Sequence, residues 1–376
     1  MAKRYVLAAL PKGSCSHLAA IRHAENGHDW NSNFMVKLKD LARELNVSIT
    51  TVSRALNGFS DVNEVTRARV SAAAERLGYR PNMNARRLVT GRAHTIGLAN
   101  PSESSLIHEA HIAEFLSGIG EALSESEYDL LLIPFKKNDE IDRYKRAFAS
   151  NRVDALIVGS ILLEDPRIDF LHKVGMPFVV HGRTETDLPY AYIDIDNESV
   201  GYKSAIALLD KGHRRIGLLN GPAEMTFARD RERGYRRALG ERGITFDAAL
   251  TDNAMMADAH GFAATQRFLA LKKPATALIA GSMANAIGAI RAIRTAGLMM
   301  GRHVSMIAHD DIFHFLKPES MMPTLTTTTS SMRAAGHRAA EMAIRLLDGE
   351  PVENLQQVWE VEMNERESVG PAPDQG

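Results

Sequence analysis

Hydrogen-bonding side chains recur at a helical spacing in residues 38–57, LKDLARELNVSITTVSRALN. At 100° per residue, a helix over the second half of this stretch gathers on one face Ile49, Thr50, Ser53, Arg54 and Asn57. The guanidinium can donate two parallel hydrogen bonds to a guanine edge, and Thr50 and Ile49 can contact a neighbouring base or a thymine methyl group. Ser53, Asn57 and the helix start at Ser48 are better placed for phosphate oxygens. These residue types predict recognition of double-stranded DNA.

Two short helices joined by a tight turn must position this face. Apolar residues repeat at i, i+3, i+4 and i+7 in the first helix, as Leu38, Leu41, Ala42 and Leu45. Asn46–Ser48 forms the predicted turn, and Ser48 is a good N-cap for the second helix. A third helix is predicted over residues 64–77, ended by Gly78. The alternative is an ordinary amphipathic helix pair with a solvated face.

The near-neutral net charge of −1 hides a basic amino-terminal part. Residues 35–92 carry 11 lysines and arginines against 5 acidic residues, whereas the remainder of the chain is acidic. A basic module on an acidic body fits a DNA-binding head attached to a domain that does not bind DNA. Residues 1–34 lack sustained periodicity and are predicted to be a disordered extension or the product of an upstream start.

The composition favours a cytoplasmic protein. The single Cys15 excludes an internal disulfide framework, and no apolar run approaches the length of a membrane span. The start MAKRYVLAAL has no clear cleavage site, so a signal peptide is not expected. No metal site is predicted, because no third ligand follows Asp310–Asp311 at a convincing spacing. No cofactor or enzyme activity is predicted, because the sequence contains no nucleophile elbow, phosphate-binding loop or dinucleotide fingerprint.

From Thr95 onward, short apolar runs alternate with helical patterns. The predicted strands are 95–100, 128–135, 155–159, 177–182, 215–221, 276–281 and 304–310. This alternation predicts an α/β fold with doubly wound parallel sheets, and the length suits two lobes. Because ligands bind beyond the carboxyl ends of parallel strands, the rule nominates Asn100, His181, Asn220, Ser282 and Asp310. A cleft with a carboxylate, an arginine, amides and a flat group suits sugar hydroxyls.

VSITTVSRALNG, ERLGYRPNMNARRLVTGRAHTIGL and VSMIAHDD together resemble the lactose/galactose repressor (LacI/GalR) family of bacterial transcription regulators. The resemblance spans about Met35 to Ser368. It implies an all-α helix-turn-helix head and a two-lobed, periplasmic-binding-protein-like effector domain. The implied divisions are a head over 35–80, a hinge helix over 81–93, an effector and dimerisation domain over 94–370 and a tail over 371–376. Ile49, Thr50 and Arg54 take the base-reading positions, with Ser48, Ser53 and Asn57 toward phosphate.

The resemblance also gives the hinge a role. Leu88 occupies the position of a leucine that pries open a central base step from the minor groove, a known way to kink DNA. The alternative is a solvated linker. Replacing Leu88 by alanine should weaken specific binding and reduce DNA bending while leaving the fold intact. An unchanged bend angle in a circularisation assay would rule out this role.

The resemblance sharpens the predicted effector site. It places Phe227 and Arg231, in FARDRERGY, and Asp310, in VSMIAHDD, against the ligand, together with His111 and Met256. The strand-end rule adds His181 and Ser282 to the predicted effector site. Three crossings between the lobes are implied, near 194–197, near 322–326, and either near 95–100 or shortly before the last strand. Two departures occur: Ser282-Met283 replaces an Asn-Asp pair, and Met256 replaces an aromatic stacker.

The predicted function is a repressor of carbohydrate-utilisation genes, acting as a homodimer on a near-palindromic operator and controlled by a saccharide. PFVVHGR and FARDRERGY most resemble the α-glucoside subgroup. An enzyme is not expected. The alternatives are a periplasmic-type sugar receptor and a regulator that depends on a non-sugar corepressor such as a nucleobase. Arg231 as a solvated helix residue and Asp310–Asp311 as a metal or acid–base pair are the alternatives for the site.

Overall fold

A computed structural model describes residues 36–79, 91–101, 106–136 and 139–373. These fall into two compact units, one within residues 1–90 and the other within residues 91–376. The predicted extension over 1–34 and most of the predicted hinge, including Leu88, lie outside the described residues.

The described residues of the first unit form three helices: α1 (Leu38–Leu45), α2 (Ile49–Leu56) and α3 (Glu64–Leu77). The Ser48 hydroxyl accepts a hydrogen bond from the Thr51 backbone N–H at 3.0 Å, which caps α2 as predicted. Gly78 ends α3 in the left-handed conformation, at φ 66°. The apolar stripes of the helices meet in one small core around Leu41 and Val52, both fully buried. The predicted helical head is confirmed.

The second unit is built from parallel strands and covering helices. Its described strands are β1 Thr95–Pro101, β2 Asp129–Phe135, β3 Ala155–Val158, β4 Phe178–His181, β5 Ala191–Ile195, β6 Ile216–Asn220, β7 Thr251–Asn253, β8 Ala277–Ala280, β9 Ser305–Asp310, β10 Thr326–Thr329, β11 Gln356–Trp359 and β12 Glu362–Asn364. Its described α-helices are α4 Leu106–Ser124, α5 Glu140–Ala149, α6 Pro166–Val174, α7 Asn197–Asp210, α8 Thr226–Glu241, α9 Asp258–Leu269, α10 Met283–Thr295 and α11 Met332–Leu347.

These strands form two six-stranded sheets, each with helices on both faces. The first sheet has the order β11-β5-β4-β3-β1-β2, and the second has the order β12-β10-β9-β8-β6-β7. The pairs are parallel except for β10 with β12, which is antiparallel. We call each sheet with its helices a lobe. The predicted fold class is confirmed, and the buried strands read as continuous apolar runs because both faces of each sheet are covered.

The chain crosses between the lobes three times. It passes from β5 to α7 near residue 196, from β10 to α11 near residues 330–331, and from β11 to β12 near residues 360–361. The first crossing lies where it was predicted, and the third comes shortly before the last strand. The crossing predicted near 322–326 comes later, because the threonine run 326–329 first completes β10 beside β9. β-branched threonines favour a strand, although the run lacks the apolar pattern that marked the other strands.

Close helix packing fixes the part of the second lobe that carries the predicted effector arginine. A Cβ atom on Gly201 of α7 would lie 2.0 Å from the Arg231 carbonyl oxygen, and one on Gly234 of α8 would lie 1.9 Å from the Glu198 carbonyl oxygen. The two helices therefore touch backbone to backbone. This contact sets the position of Arg231 at the buried side of α8.

Candidate nucleic-acid interface and ligand cleft

The open face of α2 carries the residues that were predicted to read bases. Ile49 is 52% exposed despite its apolar side chain, and Thr50 and Arg54 are also exposed. Val52 and Ala55, on the opposite side, are buried in the head core. The core of the head does not include Ile49. This exposed isoleucine, beside a threonine and an arginine, is therefore suited to contact with a partner.

The predicted phosphate-facing residues sit at the two ends of α2. Ser48 caps the amino-terminal end. At the other end the Asn57 side-chain amide donates to the Ser53 carbonyl oxygen at 2.8 Å and lies 3.4 Å from the Ser53 hydroxyl. These hydrogen bonds hold the two ends of the helix in place, and phosphate contact by these residues stays a prediction.

In the second unit, Arg231 is buried at the carboxyl ends of the second-lobe strands, with 6% of its surface exposed. Its Nε donates to Asn197 Oδ1 at 2.9 Å and its Nη1 donates to the Gly281 carbonyl oxygen at 2.7 Å. Nη2 has no hydrogen-bond partner among the described residues. The Phe227 ring lies 5.1 Å from the guanidinium carbon. Arg231 is therefore not a solvated helix residue; burial lowers its pKa to about 10, against the opposing charges of Asp311 and Asp194.

The carboxylate that accompanies this arginine belongs to Asp311. His111 Nε2, on α4 of the first lobe, hydrogen-bonds to Asp311 Oδ2 of the second lobe at 2.7 Å. Burial by itself would raise the pKa of Asp311. The charge and hydrogen bond of His111, and the charge of Arg231, instead hold this pKa well below its usual range. The His111 ring also packs edge-on against Phe313, 5.0 Å between centroids. His111 thus joins the two lobes at the cleft.

The structure separates Asp310 from this group, contrary to the predicted convergence of Asp310 with Arg231. The Asp310 carboxylate accepts a hydrogen bond from the Ile312 backbone N–H at 3.0 Å and is 6% exposed. Burial raises its pKa to about 6, and the charges of Asp311 and Glu319 add to the rise. Successive strand residues point to opposite faces, so Asp310 and Asp311 diverge at the end of β9.

Two histidines lie near the same cluster, His309 buried and His181 half-buried. His309 is 2% exposed and hydrogen-bonds to the Thr328 and Ser330 hydroxyls, both at 3.0 Å. Burial, together with the charge of Arg231, lowers its pKa to about 3. The His181 ring lies 4.9 Å from Phe115, and burial lowers the pKa of His181 to about 4. Both of these rings are neutral at pH 7, which leaves Arg231 and the His111–Asp311 pair as the charged groups beside the cleft.

The remaining predicted contacts have mixed surroundings. Ser282 is buried, and its hydroxyl accepts from the Asn285 backbone N–H at 3.2 Å to cap α10. Met256 is half-buried in the loop before α9. The Asn220 amide donates to the Ala228 carbonyl oxygen at 2.7 Å, while its own Oδ1 is buried with no partner among the described residues.

Sequence reasoning missed Asn285. This residue is 3% exposed, and its Oδ1 is buried without a hydrogen-bond partner among the described residues. Its amide nitrogen lies 3.4 Å from the Leu219 carbonyl oxygen, beside the strand end that also supports Gly281. The sequence signal for Asn285 was the loss of the Asn-Asp pair at 282–283. The Asn285 amide, one helical turn further on, can reach the same strand end.

A backbone bridge closes one side of the cleft. The Leu163 N–H donates to the Glu224 carbonyl oxygen at 3.0 Å, and the Thr226 N–H donates to the Ile161 carbonyl oxygen at 3.1 Å. These bonds join the loop after β3 of the first lobe to the start of α8 in the second. The two lobes therefore meet both here and at the His111–Asp311 contact.

The described residues contain no cluster of three or more potential metal ligands and no helix that is long and apolar enough to cross a bilayer. The cleft offers hydrogen-bond donors and acceptors from one arginine, one carboxylate and neutral imidazoles, walled by aromatic rings. This set can bind a polar, ring-shaped small molecule.

Comparison with known proteins gives consistent matches along the chain. Residues 37–82 match the model of bacterial regulatory proteins of the lacI family, and residues 93–359 match that of periplasmic binding proteins and the sugar-binding domain of the LacI family. The HTH-type transcriptional regulator AglR of Rhizobium meliloti (strain 1021) is 44% identical over 340 residues, 90% of this chain and 96% of its own. RafR of Escherichia coli, with the same description, is 35% identical, covering 86% and 96%.

A solved structure agrees with the sequence comparisons. The transcriptional regulator CelR–cellobiose complex superposes with a TM-score of 0.66 at 28% identity, covering 89% of this chain and 99% of that one. The match extends over both units of the chain.

Proposed function

The chain belongs to the LacI family of bacterial regulatory proteins, and from that premise we propose that it represses carbohydrate-utilisation genes under the control of a saccharide bound between its lobes. The buried Arg231, which has one nitrogen without a hydrogen-bond partner among the described residues and whose pKa responds to the charge of Asp311, is the observation that carries the effector part of this proposal. The relatives are transcriptional regulators, and we propose that the cleft binds its ligand without chemistry.

The cleft presents charged groups of both signs, which favours a neutral ligand that can hydrogen-bond to each of them. Arg231 contributes one positive charge, and Asp311 contributes a carboxylate that stays ionised because its pKa is held low. An anionic ligand would be attracted by the arginine and repelled by the carboxylate. A saccharide has hydroxyl groups that can accept from the guanidinium and donate to the carboxylate, and it carries no charge to desolvate.

We assign effector contacts to Arg231 with Phe227, to His111 with Asp311, and to His181, with Met256, Ser282 and Asp310 as further lining. The apolar faces of a pyranose ring suit the rings of Phe227 and His181. The family model of a sugar-binding domain and the cellobiose complex of the related CelR support a sugar, and the resemblance of FARDRERGY favours an α-glucoside.

A ligand panel tests the effector class. Thermal unfolding should be measured with maltose, sucrose, trehalose, cellobiose, glucose and hypoxanthine, each alone and with operator DNA. An α-glucoside at one hundred times its Kd should stabilise the protein by about 2.7 kcal/mol. Stabilisation by hypoxanthine and by none of the sugars would instead support a nucleobase-dependent regulator.

We assign operator recognition to residues 35–80, the hinge to 81–93 and effector binding with dimerisation to 94–370. One head covers one half-site, so a two-fold dimer on a near-palindromic operator follows. Such a regulator acts in the bacterial cytoplasm, at the nucleoid.

The exposed guanidinium of Arg54 gives the most direct test of base reading. Arg54→Ala should cost about 1–3 kcal/mol on the cognate operator and relax discrimination at one base pair. Affinity is measured at fixed salt on the operator, on its single-base variants and on random duplex. Equal losses on all of these duplexes would show that Arg54 contacts only phosphate.

A further inference from the structure

We propose that Asp61 determines DNA specificity by holding the Arg54 guanidinium in the orientation that reads a guanine. Asp61 acts through Arg54 and is therefore a positioning residue. This inference rests on the proposed base-reading role of Arg54, and the experiment below separates failure of the one from failure of the other.

The contact uses one edge of the guanidinium. Arg54 Nε donates to Asp61 Oδ1 at 3.2 Å, and Arg54 Nη2 lies 2.8 Å from Asp61 Oδ2. The Phe59 ring lies 5.2 Å from the guanidinium carbon and supports its flat face. Two parallel hydrogen bonds and a stacked ring fix both the direction and the plane of the group, which a single charged contact does not do.

The loop that carries Asp61 is itself held in place. Gly58, at φ 75°, turns the chain after α2, and the Phe59 N–H donates to the Arg54 carbonyl oxygen at 3.1 Å. Arg67 of α3 donates to the carbonyl oxygens of Phe59 and Val62, at 2.9 and 3.3 Å. Because Val62 is 8% exposed and packs in the head core, Asp61 is anchored from both sides.

The remaining donors of Arg54 have the pattern that guanine requires. Nε and one hydrogen of Nη2 point to Asp61. The other edge of the guanidinium retains Nη1 and the second hydrogen of Nη2. Among the described residues, Nη1 has no hydrogen-bond partner. This edge can donate to O6 and N7 of guanine in parallel. The Arg54 side chain is 46% exposed, so an untethered arginine would lose more rotamer freedom on binding DNA.

The carboxylate also acts against unspecific binding. Asp61 is 51% exposed in its side chain and places a negative charge close to the DNA-facing arginine. Repulsion from phosphates weakens binding to every sequence, whereas the tether favours only the sequence with guanine at the correct position. An exposed ion pair contributes little to stability, so its expected effect is on recognition.

The experiment compares the full-length wild type with Asp61→Asn, Arg54→Ala and the double variant. The probes are a duplex selected by the wild-type protein from a random library, its single-base-pair variants, and random duplex of equal length. Glu44→Gln is the matched control, since Glu44 also pairs with an arginine of the head, Arg76 at 2.9 Å, but does not contact Arg54.

We expect Asp61→Asn to lower the ratio of selected to random affinity about tenfold, within the range of one bidentate guanine contact. Random-duplex affinity should stay level or rise, and the loss should fall on the base pair that Arg54 reads. The double variant should lose no more discrimination than Arg54→Ala alone, because both act through one contact. Glu44→Gln should leave the ratio unchanged.

An unchanged ratio in Asp61→Asn, or losses that add in the double variant, would overturn the role of Asp61 while leaving base reading by Arg54 intact. A discrimination loss of the same size in Glu44→Gln would show a general charge effect and would also overturn it. If Arg54→Ala keeps full discrimination, the base-reading assignment fails first, and the role of Asp61 fails with it.

Discussion

Arg231→Met is expected to abolish the effect of saccharide on operator binding. A hydrogen bond to a charged group contributes about 1.5–3 kcal/mol, so loss of the guanidinium should weaken saccharide binding by one to two orders of magnitude. Methionine retains much of the apolar stem, and the change removes a buried charge whose pKa is already lowered by burial to about 10. A ligand can shift the lobes only through its different affinity for their two arrangements, so weak binding removes the switch.

The measurement is operator affinity with and without saccharide, together with saccharide Kd by calorimetry. If the effector releases DNA, effector-free operator affinity should be nearly unchanged in Arg231→Met; if it is a corepressor, the variant should bind DNA poorly under all conditions. Arg233→Met is the control, since Arg233 lies on the same helix, is 54% exposed in its side chain and pairs with Glu198. A full effector response in Arg231→Met would mean that this cleft is not the regulatory site.

The same measurement distinguishes the two neighbouring carboxylates. Asp311→Asn should reproduce most of the loss, because it removes the negative charge that pairs with His111 and opposes the charge of Arg231. Asp310→Asn should have the smaller effect, since its carboxylate bonds to the Ile312 backbone. The reverse order would place Asp310 against the ligand.

The two-lobed unit is expected to lose stability as pH falls from 7 toward 4, and His309 should contribute a large part. Its folded pKa of about 3 lies below the ordinary value of 6.5, so the unfolded chain binds the proton first. The stabilisation from the neutral His309 is complete above pH 6.5 and is lost progressively below it. The loss amounts to about 3 kcal/mol at pH 4. His181, with a folded pKa of about 4, and His213, whose pKa burial also lowers, act in the same direction.

Asp310 acts in the opposite direction. Its folded pKa of about 6 lies above its ordinary value of 3.8, so the folded state binds a proton first as pH falls. Protonation of Asp310 therefore adds about 2 kcal/mol to the free energy of unfolding between pH 6 and pH 4. The net loss of stability at acid pH is therefore smaller than the sum of the histidine contributions.

Urea unfolding of the wild type and His309→Gln at pH 7, 5.5 and 4 isolates the His309 contribution. Glutamine can still donate and accept toward Thr328 and Ser330, and it does not titrate. The variant should be weakened most relative to wild type at pH 7 and least at pH 4. His260→Gln, at an exposed position, is the control. A parallel pH dependence in wild type and His309→Gln would contradict the buried, neutral state of His309.

The sequence alone determined the elements whose signals are local. The head is readable because its helices carry apolar residues at helical spacing, with Ser48 and Gly78 at their ends, and these preferences act within one or two turns. The strands of the two sheets are readable because both faces are covered, so each is a short apolar run. Arg231 is identifiable from its motif, since FARDRERGY sets it on the first turns of one helix.

Tertiary structure decided which side chains meet. Asp310 and Asp311 are adjacent in sequence, and only the end of β9, followed by Ile312 at φ 59°, turns Asp311 toward His111. The amide of Asn285 is brought to the cleft by the packing of α10 beneath the strand ends. Asp61 reaches Arg54 because Arg67 and Val62 anchor an intervening loop. At the end of β9 a one-residue shift would reverse the direction of a side chain, and in all three cases the position of the side chain depends on contacts far away in sequence.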